Sequence, residues 1–171
     1  MKPRQIAHHL AEQFADRLLA THADDPHPRV HVDAAQWRNV AEHLHGHDEL
    51  AMDWLACITG VDYPADNRLC AVYDLRSTRH GHWFAVKVYV DRDNPHVHSV
   101  SDLWPAADWH EREAHDLLGI VFDHHPDLRR ILLPEDWVGH PLRKDYAFPR
   151  SYHGIPGTYE LDWQQKPDYP A

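Results

Sequence analysis

The sequence has only two cysteines, Cys57 and Cys70, and they are not in a C-x-x-C arrangement. An iron–sulfur cluster usually takes four cysteine ligands, so this chain cannot hold one alone. A zinc site of two Cys and two His would need paired spacing that is missing here; two buried, reduced thiols are expected instead. Glycine is also scarce. The seven glycines form neither a G-x-G-x-x-G nor a P-loop, which removes the common nucleotide-binding fingerprints. No apolar run approaches the roughly 18 residues that span a bilayer; the longest are Ala85–Val90 and Leu117–Phe122. Met1-Lys2-Pro3-Arg4 leads into mixed polar residues rather than a secretory apolar core, so cytoplasmic residence is expected. Positive charge is in deficit, with 17 Lys plus Arg against 27 Asp plus Glu and a formal net charge of -10. Such a surface repels phosphate backbones and argues against nucleic acid as a partner.

The 171 residues suffice for one domain with a real core. Ile6, Leu10, Phe14, Leu18 and Leu19 follow a helical repeat over residues 5–20, and Asp24–Pro28 breaks it. Val30–Val32 reads as a short strand. A helix over Ala34–Leu44 places Trp37, Val40, Ala41 and Leu44 on one side, and Leu50–Leu55 reads as a helical turn before a strand at Cys57–Val61. Two stronger strands follow. Leu69, Ala71, Tyr73 and Leu75 alternate on one, and Phe84, Val86, Val88 and Val90 on the next, with Ser77–His82 as the hairpin connection. Val97–Val100 is a further short strand or turn. A helix is expected over Pro105–Leu118, with Gly119 in the left-handed position past its end. The fold class is therefore α+β: a single domain over residues 1–146, with a mainly antiparallel sheet of about four strands covered by helices. Residues 147–171 are interrupted by Pro149, Pro156, Pro167 and Pro170, yet carry Tyr152, Tyr159, Trp163 and Tyr169. A merely solvated tail is poor in aromatics, so an extended segment that packs on a partner is expected.

The densest chemistry lies in Trp109–Gly119. Arg112 and Asp116 are four apart and Glu113 and Asp116 three apart, so they can share a helix face. From spacing alone this is a solvated helix with pairing worth roughly 0.3–0.5 kcal/mol. A zinc-hydrolase reading fails on geometry. Metal-binding histidines on a helix stand at i and i+4, whereas His110 and His115 are five apart, about 140° around the axis. His43, His45 and His47 alternate, but a strand there would interrupt the helical face ending at Leu44. Among 18 histidines such coincidences are expected, and no metal ligand or catalytic residue is assigned.

Glu111-Arg112-Glu113, Asp116-Leu117-Leu118, then His125 and Arg129-Arg130-Ile131-Leu132, resemble the signature of the thirty-kilodalton subunit family of respiratory complex I. The stretch from Pro134 to Tyr146, with His140, Arg143, Lys144, Asp145 and Tyr146, is similar to that family's second block. Weaker likeness extends back through Thr59–Pro64 and the two strong strands. One departure stands out: many members have Gly where His124 precedes His125-Pro126, which puts any positive φ there on a non-glycine residue. The resemblance implies a cofactor-free subunit of the peripheral arm of proton-pumping NADH-quinone oxidoreductase, on the cytoplasmic side of the inner membrane. Partners of the forty-nine-kilodalton type (the D subunit) and the PSST type (the B subunit) would form the quinone pocket. NADH, FMN, the iron–sulfur clusters and quinone would be bound by neighbouring subunits. Glu111, Arg112, Glu113, Asp116, Arg129, Arg130, Arg143, Lys144 and Asp145 are then expected to form paired charges at or beside a subunit interface. The equivalent subunit of a membrane-bound hydrogenase, or of the photosynthetic relative of complex I, is the near alternative. A stand-alone metal-dependent hydrolase is the alternative of another class.

Overall fold

Alternation along a strand sends successive side chains to opposite faces, so the two strongest apolar rows should meet on one side of a sheet. They do in the computed structural model, which describes residues 1–156. The sheet has five strands: β1 (Leu18–His22), β2 (Arg29–Asp33), β3 (Trp54–Tyr63), β4 (Arg68–Arg76) and β5 (Trp83–Asp91), in the order β1-β2-β5-β4-β3. Cross-strand register sets Ala71 opposite Val88 and Gly60, and Tyr73 opposite Val86 and Ile58. The buried face thus runs continuously from β3 to β5, and Val30 and Val32 carry it into β2 through a parallel pairing with β5. This is the one parallel pair in an otherwise antiparallel sheet.

Among the described residues, three α-helices supply the apolar side chains that cover this face. α1 (Pro3–Phe14) buries Ile6, Leu10 and Phe14, and α2 (Ala34–Gly46) buries Trp37, Val40 and Leu44. α3 (Ala107–Leu118) buries Ala107, Ala114 and Leu118, and all join one core cluster with the strands. Asp33 ends β2 and caps α2, its carboxylate accepting the Ala35 amide at 2.9 Å. Gly60 lets α3 approach β3 closely: a Cβ there would stand 2.1 Å from Leu118 Cδ1.

The fifth strand departs from the sequence reading. α1 stops at Phe14, Ala15 turns at φ 38°, and after one short 3-10 turn Leu18 pairs with Val32. Leu18 and Leu19 fit a helical repeat, but pairing on the edge of β2 satisfies their backbone as well as a helix would. Leu50–Leu55 is likewise split, a turn ending near Leu50 and β3 beginning at Trp54. A second small sheet pairs β6 (His96–His98) in parallel with β7 (Val121–Asp123), the latter too short to register as a pattern. The two thiols are free, and Cys70 is fully buried with its pKa pushed up to about 12 by burial. Cys57 is only half-buried, because it sits on the edge strand β3, where it donates to Asp74 at 3.3 Å. Of the expected extended tail, Ser151–Tyr152 (β8) and Ile155–Pro156 (β9) instead form a tight ribbon. Its Tyr152 hydroxyl donates to Asp136 at 2.7 Å. Tyr159, Trp163 and Tyr169 lie outside the described residues.

Trp104 fixes the entry to α3, because its buried indole N–H donates to the Met52 carbonyl at 2.7 Å. Trp104→Phe keeps an aromatic ring but leaves that carbonyl without a partner and opens space beside it. We expect a loss of about 2–3 kcal/mol in urea denaturation. An unchanged midpoint would show that the bond contributes nothing to the fold.

Candidate functional site

A helix that turns charged side chains inward must find partners for them. On α3 the side chains of Glu111 and Asp116 are fully buried, and Arg112 is nearly so. The i, i+4 pairing of Arg112 with Asp116 does not form; each hydrogen-bonds to backbone instead, and Arg112 Nη1 lies 3.9 Å from Asp108, one turn back. Asp116 Oδ2 accepts three consecutive amides, from Ile131, Leu132 and Leu133, at 3.2, 2.8 and 2.9 Å. Its other oxygen lies 3.6 Å from the Arg130 guanidinium. Arg112 Nε donates to the Arg129 carbonyl at 3.2 Å, and its guanidinium lies over the Trp109 ring, 5.2 Å from the centroid. Glu113 remains exposed.

Glu111 points the other way, accepting the Ser99 hydroxyl at 2.6 Å and the Val100 amide at 2.8 Å. Burial pushes its carboxyl up to about 7, outweighing those two hydrogen bonds. His125 bridges the start of α3 to the loop beyond it. Its Nε2–H donates to the Asp108 carbonyl at 3.2 Å while Nδ1 accepts the Asp127 amide at 3.0 Å. His124, just before it, has φ 67°, the positive value the sequence foreshadowed.

The second block closes the other end of α3. Helix ends leave carbonyls unpaired, and positive charge is favoured there. The Asp116 carbonyl accepts from His140 Nδ1 at 2.9 Å, the Leu117 carbonyl from the Leu142 amide at 3.1 Å, and the Leu118 carbonyl from Arg143 Nε at 2.8 Å. Gly119 makes this possible. Its φ is 78°, and a Cβ there would stand 2.5 Å from the His140 ring and 2.9 Å from Arg143. A little further on, buried Asp62 of β3 forks onto Arg92 at 2.9 and 3.2 Å and accepts the Lys144 amide at 2.8 Å. Burial raises the Asp62 carboxyl, but Arg92 and the Lys144 amide outweigh it and hold it low. Asp145 completes this knot against Arg92. Tyr146 packs on Gly139 and donates to the Val138 carbonyl at 2.9 Å.

Residues 125–146 therefore form an irregular strap, pinned along its length by α3 and Asp62. Of the predicted residues, Arg129 pairs with neighbouring Asp127 on the exposed side. Asp62 and Arg92 were not singled out by the sequence, since nothing in their spacing announces that a strand end meets a loop 82 residues on. Of two surface grooves of about 760 and 740 Å³, the second borders the start of α3 at Ser99, Asp108 and His124, and none of the predicted residues lines either. Outward, the strap presents Leu132, Val138 and Leu142, each more than half exposed.

A family model described as "Respiratory-chain NADH dehydrogenase, 30 Kd subunit" matches residues 30–152. The chain is 45% identical over 150 residues to the C subunit of NADH-quinone oxidoreductase from Chlorobium phaeobacteroides, spanning 86% of this chain and 90% of that one. It is 41% identical over 161 residues to the same-named protein of Chloroherpeton thalassium, spanning 92% of this chain and 67% of that one. Among solved structures it resembles "Nqo5 of the trypsin-resistant fragment (1-134) in P63 form", with TM-score 0.60 and 31% identity over 72% of this chain and 99% of that one. A chain of an archaeal membrane-bound sulfane sulfur reductase shares the fold, with TM-score 0.64 and 21% identity over 94% of this chain and 89% of that one.

Two predictions separate the buried acids. Asp116→Ala orphans three amides and should cost about 3–5 kcal/mol in chemical denaturation. Asp116→Asn keeps an acceptor oxygen and should lose markedly less. Equal losses would mean that charge, not the amide cradle, holds the strap. Glu111 is the opposite case, because its folded pKa of about 7 lies above the ordinary 4.5. The folded state then binds more protons between those values, so stability falls as pH rises from about 4.5 to 7. Glu111→Gln should remove that slope, so the variant's melting temperature should gain on the parent's between pH 5 and pH 8. Parallel pH profiles for variant and parent would refute the assignment.

Proposed function

Since the chain belongs to the respiratory-chain NADH dehydrogenase 30 Kd subunit family, we propose that it serves the peripheral arm of a proton-pumping NADH-quinone oxidoreductase as a component that transfers no electrons itself. The observation that carries this reading is the destination of the signature charges. Glu111, Arg112, Asp116, His140 and Arg143 end on backbone groups rather than around a cavity. Such an arrangement holds a surface in shape. These residues include no nucleophile activated by a base and no converging acid and base.

The surface so held is the strap, with exposed Leu132, Val138 and Leu142, continued by Phe148 and Ile155. Large apolar side chains on a rigid, irregular segment suit a protein partner. We assign to this surface the subunits of the forty-nine-kilodalton and PSST types, which in this reading hold the quinone site. NADH, FMN, the iron–sulfur clusters and quinone then belong to neighbouring subunits, and residues after Asp145 dock on a partner as well. No helix among the described residues is long and apolar enough to cross a membrane. In this reading the chain is held on the cytoplasmic side of the inner membrane through the complex.

The test is a Leu132→Asp, Val138→Asp double variant expressed in place of the native chain. Both side chains are exposed, so the isolated variant should melt within a degree or two of the parent. Assembled complex on native gels should fall severalfold, while NADH:quinone turnover per assembled complex stays unchanged. Full assembly with lost quinone reduction would assign the chain a direct part in catalysis. Full assembly with full activity would move the docking surface elsewhere.

A further inference from the structure

His43, His45 and His47 would share one face only on a strand, and the sequence predicts a helix there that ends at Leu44. α2 runs on through Gly46 with His47 as its C-cap, so His43 and His47 are an i, i+4 pair on one side of its last turn. His45 falls on another side, edge-on to Trp104 with ring centroids 5.5 Å apart. The third member comes from α1. His9 Nε2 lies 2.9 Å from His43 Nε2, with the rings nearly parallel at 14° and centroids 5.2 Å apart. The His47 ring is 4.9 Å from His9 and 5.0 Å from His43. One nitrogen from each ring lies within 4.8 Å of the others.

We propose that His9, His43 and His47 bind one borderline divalent transition-metal ion of the zinc class, which clips α1 to the end of α2.

Geometry, ligand chemistry and packing all favour an ion here. First, the geometry is close to that of a bound site. Zinc–nitrogen bonds of about 2.0–2.1 Å in a tetrahedron put ligand nitrogens about 3.3 Å apart. His9 and His43 need open only slightly, and His47 need close by a rotamer adjustment. Second, the ligand set is chemically selective. Three imidazoles with no carboxylate suit zinc, nickel, cobalt or copper and disfavour magnesium and calcium, which take oxygen ligands. The fourth position falls to water at this half-buried site. Third, His43 is braced from outside. Phe14 stands edge-on to His43 at 5.4 Å, and the Glu49 amide lies 3.3 Å from His47 Nδ1, a contact that His47 gives up on taking the tautomer with a free Nε2 lone pair.

The site also has a place in the chain's architecture. His43 and His47 lie within residues 30–152, which the family model matches, and His9 lies before them. An ion there joins the N-terminal helix to the family domain. This inference is independent of the docking surface proposed above.

The experiment uses the full chain without a histidine tag, stripped with chelator and titrated with zinc chloride and, for its spectrum, cobalt chloride. One equivalent should bind tightly, with a cobalt visible spectrum of low-coordinate type and a zinc-dependent rise in melting temperature. At zinc a hundredfold above Kd that rise should be about 5–10 °C. His9→Gln, His43→Gln and His47→Gln should each weaken binding at least about tenfold, since even outer-shell changes cost that much. The neighbouring changes His8→Gln and His45→Gln should leave it intact. Circular dichroism of each metal-free variant checks that the fold survives. No saturable binding would overturn the proposal, and so would binding that the three variants leave unchanged, which would place the ion among the other histidines. Magnesium competing on equal terms would likewise refute it.

Discussion

The last turn of a helix leaves carbonyls with no intrahelical partner, and in α3 that end is buried against the second sequence block. Water cannot fill those valences, so protein must. His140, the Leu142 amide and Arg143 do so, and the Arg143 guanidinium brings positive charge to the negative end of the helix dipole. Asp116, on the same turn, works in the reverse sense, one carboxylate oxygen taking three amides of the strap. Each of these groups left bare would cost about 1–3 kcal/mol, so the helix end and the strap cannot separate without losing several at once. The path of residues 125–146 follows from that mutual dependence.

Much of this was legible in the sequence, and unevenly so. The period-2 rows of β4 and β5 are legible because both strands lie inside the sheet, flanked on each side, with one face fully buried. Gly119 was readable because a positive φ past a helix end has few other solutions. Edge elements were less visible. β1 carries Leu18 and Leu19 in a helical register and is a strand only because β2 lies beside it. β7 has three residues, too few for any period. Charge spacing on α3 is legible but its meaning is not: the spacing of Arg112 and Asp116 fits a surface pair, whereas each hydrogen-bonds to the backbone of a segment 15 to 17 residues on. The Asp62–Arg92 fork joins a strand end to a turn 30 residues away. No local rule reaches across that distance.

A long run without regular secondary structure is uncommon in a compact domain unless it has work to do. Left free, it would lose conformational entropy on meeting a partner and weaken binding accordingly. Here that ordering is already supplied within the chain, by α3 at one side and by Asp62 at the other. A segment held this way can present irregular shape at little further entropic cost, which a helix or strand face cannot do as freely.

The division of labour among its residues follows from the same physics. Charged groups are costly at the centre of an interface unless each finds a partner, and interface cores are accordingly poor in them. His140 and Arg143 point inward, where the carbonyls of α3 answer them, while Leu132, Val138 and Leu142 face out. The charges of the strap also cancel: Arg129, Arg130, Arg143 and Lys144 stand against Asp127, Glu135, Asp136 and Asp145. In a chain of formal charge -10, that balance spares the segment the repulsion an acidic partner would meet elsewhere on the surface. In the docking proposed above, the apolar residues would supply contact area while exposed Arg129 and Lys144 would stay hydrated at the rim. Its exposed apolar side chains and balanced charge are both carried on a shape that traces back to the groups that α3 buries.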